Sequence, residues 1–145
     1  MPKITLSFAA DHAGFEMKQA LIVYSKSLDC KIIDHGTHST DAVDYPDYVP
    51  PVVGDILEGR ATFGVLICGS GIGMDIAANR HAGIRSALCH NDKLAEMARC
   101  HNDANILCLG GRFITTETGK NCLKRFIATA FEAGGRHERR VEQLG

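Results

Sequence analysis

Residues 63–73 read FGVLICGSGIG, and this stretch decides the fold class. Its first part, Phe63 to Cys68, is an apolar run without alternation, which is typical of a central parallel strand that is buried on both faces. Glycines at 69, 71 and 73 follow at alternate positions and allow the chain to turn tightly. The stretch therefore predicts a buried strand that leads into a glycine-rich turn.

On both sides of this stretch, short apolar runs alternate with longer amphipathic segments. The predicted strands are Ile4 to Ala9, Lys31 to Asp34, Phe63 to Cys68, Ile84 to Cys89 and Asn105 to Leu109. The predicted helices are Phe15 to Leu28, Val49 to Glu58, Ile76 to Arg80, Asp92 to His101 and Thr116 to Phe131, and residues 35–48 are predicted to form a long loop. Such alternation predicts an α/β protein with a three-layer α/β/α, Rossmann-like (flavodoxin-like) architecture around a five-stranded parallel sheet with right-handed crossovers. We expect one domain over residues 1–145, with residues 132–145 as a charged C-terminal tail that contributes to the site or to a dimer.

Composition excludes several classes of protein. The 16 basic and 17 acidic residues give a net charge of -1 without a basic block, which argues against nucleic acid or an anionic membrane as partner. The six cysteines form no C-x-x-C pair, so no zinc knuckle or thioredoxin motif is present. Free thiols, and the lack of a secretion signal or a membrane-spanning apolar run, lead us to expect a cytoplasmic protein.

Chemistry in a parallel sheet is expected at the carboxyl ends of the strands. The turns after the first, third and fifth strands hold Asp11-His12, Cys68 to Gly73, and Gly110-Gly-Arg112. The glycine turn exposes backbone N–H groups that could bind an anion, although a tight turn alone also explains it. It is not a dinucleotide-binding fingerprint, because Met74 stands where the third glycine would be.

Three further features have both a functional and an ordinary explanation. Cys68 could be a thiolate base or nucleophile beside a helix N-terminus, or only a buried spacer. His101 could act in catalysis, or only as a cation near a helix C-terminus. The arginines of residues 134–140 could bind a phosphate through bidentate hydrogen bonds, or form a solvated end of the chain.

Seven motifs, taken in order, resemble those of type B ribose-5-phosphate isomerases over essentially the whole chain. They are Asp11-His-Ala-Gly14, Asp44-Tyr-Pro46, Cys68-Gly-Ser-Gly-Ile-Gly73, Ile76-Ala-Ala-Asn-Arg80, Gly83-Ile-Arg85, His101-Asn-Asp-Ala-Asn105, and Gly134-Gly-Arg-His137 through Arg140. The resemblance implies an aldose-ketose isomerase without metal or cofactor. It implies interconversion of D-ribose 5-phosphate and D-ribulose 5-phosphate through an enediolate.

The resemblance also implies a role for individual residues. Cys68 would move the proton between carbons, His101 would open the sugar ring, Ser70 would assist proton movement between oxygens, and Asp11 would help in ring opening or bind a hydroxyl. The implied substrate-binding residues are His12, Tyr45, Gly69, Gly71, Ile72, Gly73, Asn102, Arg112, Arg136, His137 and Arg140. Among these, His12, Arg136 and Arg140 would hold the phosphate, helped by Arg112 and His137.

Members of the family are homodimers in which two chains share each active site, so we expect a homodimer here and leave open whether dimers pair into tetramers. One branch of the family replaces the cysteine with glycine and uses a glutamate at the position of Met74. Asp75 stands one residue away and is a minor candidate for the base. Two other functions stay open: a six-carbon sugar-phosphate isomerase acting on galactose or allose 6-phosphate, and a flavodoxin-like module that binds a phosphosugar without turnover.

Overall fold

A single five-stranded parallel sheet forms the centre of the protein in a computed structural model, which describes residues 3–145. The strands are β1 (Thr5–Ala10), β2 (Lys31–Asp34), β3 (Phe63–Cys68), β4 (Ser86–Leu88) and β5 (Ile106–Gly110). Their order across the sheet is β2-β1-β3-β5-β4. The strand predicted to be central, β3, lies in the middle and is buried from Gly64 to Cys68.

Helices cover both faces of the sheet and confirm the predicted three layers. The helices are α1 (Phe15–Ser27), α2 (Val49–Leu57), α3 (Ile72–Asn79), α4 (Asp92–Asn102), α5 (Thr116–Ala128) and α6 (Arg136–Leu144). Buried side chains such as Leu21, Ala98 and Phe126 place α1, α4 and α5 in one layer. Val52 and Met74 place α2 and α3 in the opposite layer. Within residues 3–145, none of the helices combines the length and the apolar character that crossing a bilayer requires.

The chain changes direction across the sheet each time it changes layer. It passes from β1 to β2 and from β4 to β5 through the layer of α1 and α4, and from β2 to β3 and β3 to β4 through the layer of α2 and α3. All four crossovers therefore share one hand, as the rule for parallel strands requires. Because the direction reverses between β1 and β3, a crevice opens between their carboxyl ends.

Apart from shifts of one to three residues at the ends of most elements, three local details differ from the sequence prediction. Helix α3 begins at Ile72 rather than at residue 76. Gly71, the residue before Ile72, adopts a φ of +81° and ends the glycine-rich turn there. The tail contains the helix α6, which its largely charged sequence did not indicate. The predicted loop over residues 35–48 holds a short 3₁₀ turn at Tyr45–Tyr48.

A buried carboxylate on α2 ties this helix to β1 and to the residue that follows β2. Asp55 accepts a hydrogen bond from Ser7 Oγ at 2.7 Å and another from Arg60 Nε at 2.8 Å, and its Oδ2 lies 2.6 Å from His35 Nε2. Burial raises the pKa of Asp55, but the hydrogen bonds from His35, Arg60 and Ser7 together lower it below its ordinary value. The network therefore favours the charged carboxylate.

Candidate active site

Cys68 lies at the carboxyl end of β3, where two turns interlock. Its side chain is nearly buried, with 4% of the residue exposed. The Gly111 N–H donates to the Cys68 carbonyl oxygen at 2.8 Å, and the Arg112 N–H donates to that of Gly69 at 2.9 Å. The turns after β3 and β5 are thus held together by backbone hydrogen bonds beside the thiol.

The N-terminus of α3 begins four residues after Cys68. The first N–H groups of a helix have no partner inside it, and they carry the positive end of the helix dipole. One of them, at Ile72, donates to Ser70 Oγ at 3.2 Å, which leaves the Ser70 hydroxyl proton free to be donated elsewhere. The dipole end stabilises negative charge that develops beside it, such as an oxyanion.

Asp11 and His12 follow β1 on the other side of the crevice. The Asp11 N–H donates to the Ile67 carbonyl oxygen at 3.2 Å, which joins the ends of β1 and β3. Asp11 Oδ1 accepts from the N–H groups of Ala13 and Gly14 at 2.9 and 3.1 Å. His12 Nδ1 accepts from the Val43 N–H at 3.2 Å, so the neutral ring carries its proton on Nε2.

Tyr45 packs against Gly73 in the first turn of α3, and Arg112 packs against Gly69 in the turn that follows Cys68. A Cβ atom added to Gly73 would lie 2.4 Å from Tyr45 Cζ, so the tyrosine ring occupies the place of a side chain at that position. A Cβ atom added to Gly69 would lie 3.5 Å from an Arg112 guanidinium nitrogen. Both side chains therefore border the same crevice as Cys68.

The remaining candidates lie at the opposite edge of the sheet. Helix α4 runs back from the carboxyl ends of the strands and places His101 and Asn102 near their amino ends, just before β5. Helix α6 packs on α4, and the ring of His137 stacks on that of His101 with centroids 4.0 Å apart. Burial lowers the pKa of His137, and His101 and Arg136 lower it further.

The structure thus divides the predicted site residues into two groups. The carboxyl-edge group contains Asp11, His12, Tyr45, Cys68, Gly69, Ser70, Gly71, Ile72, Gly73 and Arg112, and the amino-edge group contains His101, Asn102, Arg136, His137 and Arg140. The strand between the two edges, from Gly64 to Cys68, spans about 13 Å at 3.3 Å per residue. Cys68 and His101 of one chain therefore do not meet.

Asp75, the minor candidate for the base, is turned toward β4. Its Oδ1 accepts a hydrogen bond from Ser86 Oγ at 2.8 Å, and burial raises the pKa of its carboxyl. Since β5 lies between β4 and β3, this contact directs Asp75 away from the end of β3 where Cys68 lies.

Glu132 is a neighbour of the amino-edge group that the sequence did not reveal. Its N–H donates to the Cys100 carbonyl oxygen at 3.0 Å, and its Oε2 lies 3.9 Å from His137 Nε2. No motif marks Glu132, because it lies in the irregular segment between α5 and α6. Only the packing of these helices brings it to the histidine pair.

Comparison with known proteins decides the family. The sequence profile described as Ribose/Galactose Isomerase matches residues 6–144. The chain belongs to the ribose/galactose isomerase family. Membership in this family makes it an isomerase and confirms the resemblance that the seven motifs indicated.

Relatives of this chain agree with it in sequence and in structure. Ribose-5-phosphate isomerase B of Escherichia coli is 37% identical over 139 residues, which cover 96% of this chain and 93% of the relative. A crystal structure of a ribose 5-phosphate isomerase from Thermotoga maritima is 48% identical, with a TM-score of 0.94 and 97% of both chains covered. Ribose 5-phosphate isomerase B from Anaplasma phagocytophilum is also 48% identical, with a TM-score of 0.93 over 100% of this chain and 99% of the other.

Proposed function

We propose that this isomerase interconverts D-ribose 5-phosphate and D-ribulose 5-phosphate, the isomerisation step of the non-oxidative pentose phosphate pathway, with Cys68 as the base. The observation that carries the proposal is the position of the thiol, which ends the central strand beside the N-terminus of α3. The names of the relatives from Escherichia coli, Thermotoga maritima and Anaplasma phagocytophilum support the choice of substrate.

In the proposed reaction the Cys68 thiolate removes the proton from C2 of the open-chain aldose. The electron pair of the C–H bond moves into the C1–C2 bond, and the carbonyl oxygen at C1 becomes the enediolate oxyanion. Backbone N–H groups of the glycine turn stabilise this charge, an effect worth about 3 kcal/mol per donor. The Cys68 thiol then returns the proton to C1, while Ser70 passes the O2 proton to O1 and the ketone forms at C2.

Ring opening and phosphate binding are proposed for the amino-edge group acting together with members of the carboxyl-edge group. His101 removes the proton from the anomeric hydroxyl, the C1–O4 bond breaks as the carbonyl forms at C1, and O4 takes up a proton from water, with Asp11 assisting this step. Arg136 and Arg140 bind the phosphate through charge-assisted hydrogen bonds, with His12, Arg112 and His137 completing the phosphate site. Asn102 and Tyr45 contact the sugar.

A second copy of the chain is proposed to complete each site. One chain keeps Cys68 and His101 at opposite edges of the sheet, so the substrate can contact both only if they come from different copies. Ile72 and Ile76, one turn apart on α3, are 54% and 55% exposed beside the glycine turn. This apolar face suits contact with the second copy of a homodimer.

Isomerisation in heavy water tests the proposed base. We expect the parent protein to place deuterium at C1 of ribulose 5-phosphate, and we expect Cys68→Ser to lower kcat by at least about 100-fold. Cys30→Ser, a buried cysteine remote from the crevice, is the matched control and should keep full activity. A Cys68→Ser enzyme as fast as the parent would disprove this mechanism, and a parent that binds the sugar without turnover would indicate a binding module.

The same assay separates ribose 5-phosphate from six-carbon substrates, which the family description makes the second candidates. We expect kcat/KM for ribose 5-phosphate to exceed that for allose 6-phosphate and for galactose 6-phosphate. The reverse order would assign the enzyme to six-carbon sugars without changing the role of Cys68.

A further inference from the structure

Three metal-ligating side chains converge beside the histidine pair of the amino-edge group. The ligand atoms of Cys100, His101 and Glu132 all lie within 4.8 Å of one another. The first two are consecutive at the end of α4, and the backbone hydrogen bond from Glu132 to Cys100 fixes the third residue beside them. A thiol, an imidazole and a carboxylate are thus held together by packing of distant segments.

We propose that Cys100, His101 and Glu132 form a binding site for Zn²⁺, and that the bound ion inhibits the isomerase by occupying His101. The inhibition rests on the proposed role of His101 in ring opening, whereas the binding of the ion does not. The ion would be a reversible inhibitor that takes no part in the isomerisation.

The donor set selects zinc over the hard cations. Zinc accepts thiolate, imidazole and carboxylate ligands, whereas Mg²⁺ and Ca²⁺ prefer oxygen ligands alone. In a tetrahedral zinc site the ligand atoms are about 3.5 Å apart, so the cluster must contract by about 1 Å. Glu132, whose side chain is 62% exposed, can rotate to supply this movement, while Cys100 stays fixed in the packed end of α4.

His137 lies next to this cluster but is not one of the three residues whose ligand atoms are all within 4.8 Å of one another. Its Nε2 is 3.9 Å from Glu132 Oε2, and its ring lies against that of His101. Burial raises the pKa of the Cys100 thiol, and the negative charges of Glu132 and Glu96 raise it further. A divalent cation offsets both effects, because it replaces the thiol proton and pairs with the carboxylate.

Zinc at this position would block catalysis for a simple reason. A nitrogen of His101 that donates its lone pair to the metal cannot accept the proton of the anomeric hydroxyl. If Arg136 and His137 hold the phosphate as proposed, the ion also competes for space with the substrate. We therefore expect inhibition that a chelator reverses.

Titration of the full-length protein with Co²⁺ tests binding without any assay of activity. Cobalt replaces zinc in such sites, and a Co–thiolate bond gives a charge-transfer absorption band in the near ultraviolet. We expect a band that saturates at one ion per chain, is lost in Cys100→Ser, and persists in the controls Cys30→Ser and Cys68→Ser. In Glu132→Gln, competition with Zn²⁺ should show an affinity at least about tenfold weaker than in the parent.

Several results would overturn the proposal. They are the absence of a saturable band, a band lost in Cys68→Ser instead of Cys100→Ser, and an unchanged affinity in Glu132→Gln. If Cys100→Ser does not fold, Glu132→Gln still decides, because its side chain is mostly solvated.

Inhibition is measured separately with the same variants. A Zn²⁺ concentration that inhibits the parent should leave Glu132→Gln active, and EDTA should restore the parent. Equal inhibition of the parent and Glu132→Gln would refute the link to this site. A parent that lacks isomerase activity without zinc would refute the proposed function, yet the cobalt titration would still report on the metal site.

Discussion

At the scale of single residues, both the fold and the candidate site depend on the absence of a Cβ atom at Gly71. Its φ of +81° starts α3, and a Cβ atom there would lie 2.5 Å from Leu88 Cδ1 and 2.9 Å from the Leu109 carbonyl carbon. Gly59 has a similar φ of +77°, but no atom lies within 4 Å of the place of its Cβ. Substitutions at these two glycines therefore distinguish the energetic cost of backbone strain from the cost of steric conflict.

We expect Gly71→Ala to lower the free energy of unfolding by about 3 kcal/mol, because overpacking adds to the strain of a left-handed conformation. Gly59→Ala should lower it by only about 1 kcal/mol. Urea denaturation of both variants measures the difference. Equal losses of unfolding free energy in the two variants would mean that the turn after β3 shifts to accommodate the added methyl group.

Two arginines of α6 allow a similar comparison of variants, in this case for substrate binding. Arg136→Ala should raise KM for ribose 5-phosphate by about 10- to 100-fold with a smaller change in kcat, because the phosphate loses a charge-assisted hydrogen bond. Arg139→Ala removes the same charge from an exposed position of the same helix and serves as the control. Steady-state kinetics decide, and an unchanged KM in Arg136→Ala would place the phosphate elsewhere.

At the scale of elements, the Asp55 network determines how firmly α2 is held against β1 and the segment after β2. Because the folded state lowers the pKa of Asp55, this carboxylate stabilises the protein above its unfolded-state pKa of about 3.9. That contribution is lost as the pH falls through the lower, folded-state pKa. It is fully present at neutral pH.

We expect Asp55→Asn to lower the free energy of unfolding by about 2 kcal/mol at pH 7, since hydrogen bonds to a charged group are weakened. The difference from the parent should shrink below about pH 4, where the parent also begins to lose the charge. Denaturation at several pH values measures this, with the exposed Asp41→Asn as control. A difference that is constant with pH would show that charge at Asp55 is unimportant.

At the scale of the whole molecule, two separated half-sites predict complementation between inactive chains. In a hybrid dimer of Cys68→Ala and His101→Ala chains, one site carries both substitutions and the other carries neither. If subunits mix freely at equal amounts, about one quarter of the parent activity should return. Each variant alone is the control, and mixing after unfolding and refolding ensures exchange.

Complementation is measured as isomerase activity at different ratios of the two variants. We expect the highest activity when the two are present in equal amounts. A mixture no more active than its components would mean that each chain uses its own Cys68 and His101, contrary to their separation across the sheet. Size-exclusion chromatography of the same samples reports whether dimers pair into tetramers.

The sequence by itself determined the layers, the central position of β3 and the turns where Cys68 and Asp11 lie. These features depend on local patterns of apolar residues, either a periodic stripe or, for β3, an unbroken apolar run. The start of α3 is not predictable in this way because a glycine-rich segment has no apolar stripe, and α6 is not because its residues are largely charged.

Tertiary structure alone decided which groups of side chains are neighbours. The cluster of Cys100 and Glu132 forms only when α5 packs on α4 and returns the chain to its end, a contact between residues 32 positions apart. Likewise, the separation of Cys68 from His101 follows from the path of α4 back across the sheet. Burial of nonlocal surfaces fixes such distances, and no local pattern in the sequence encodes them.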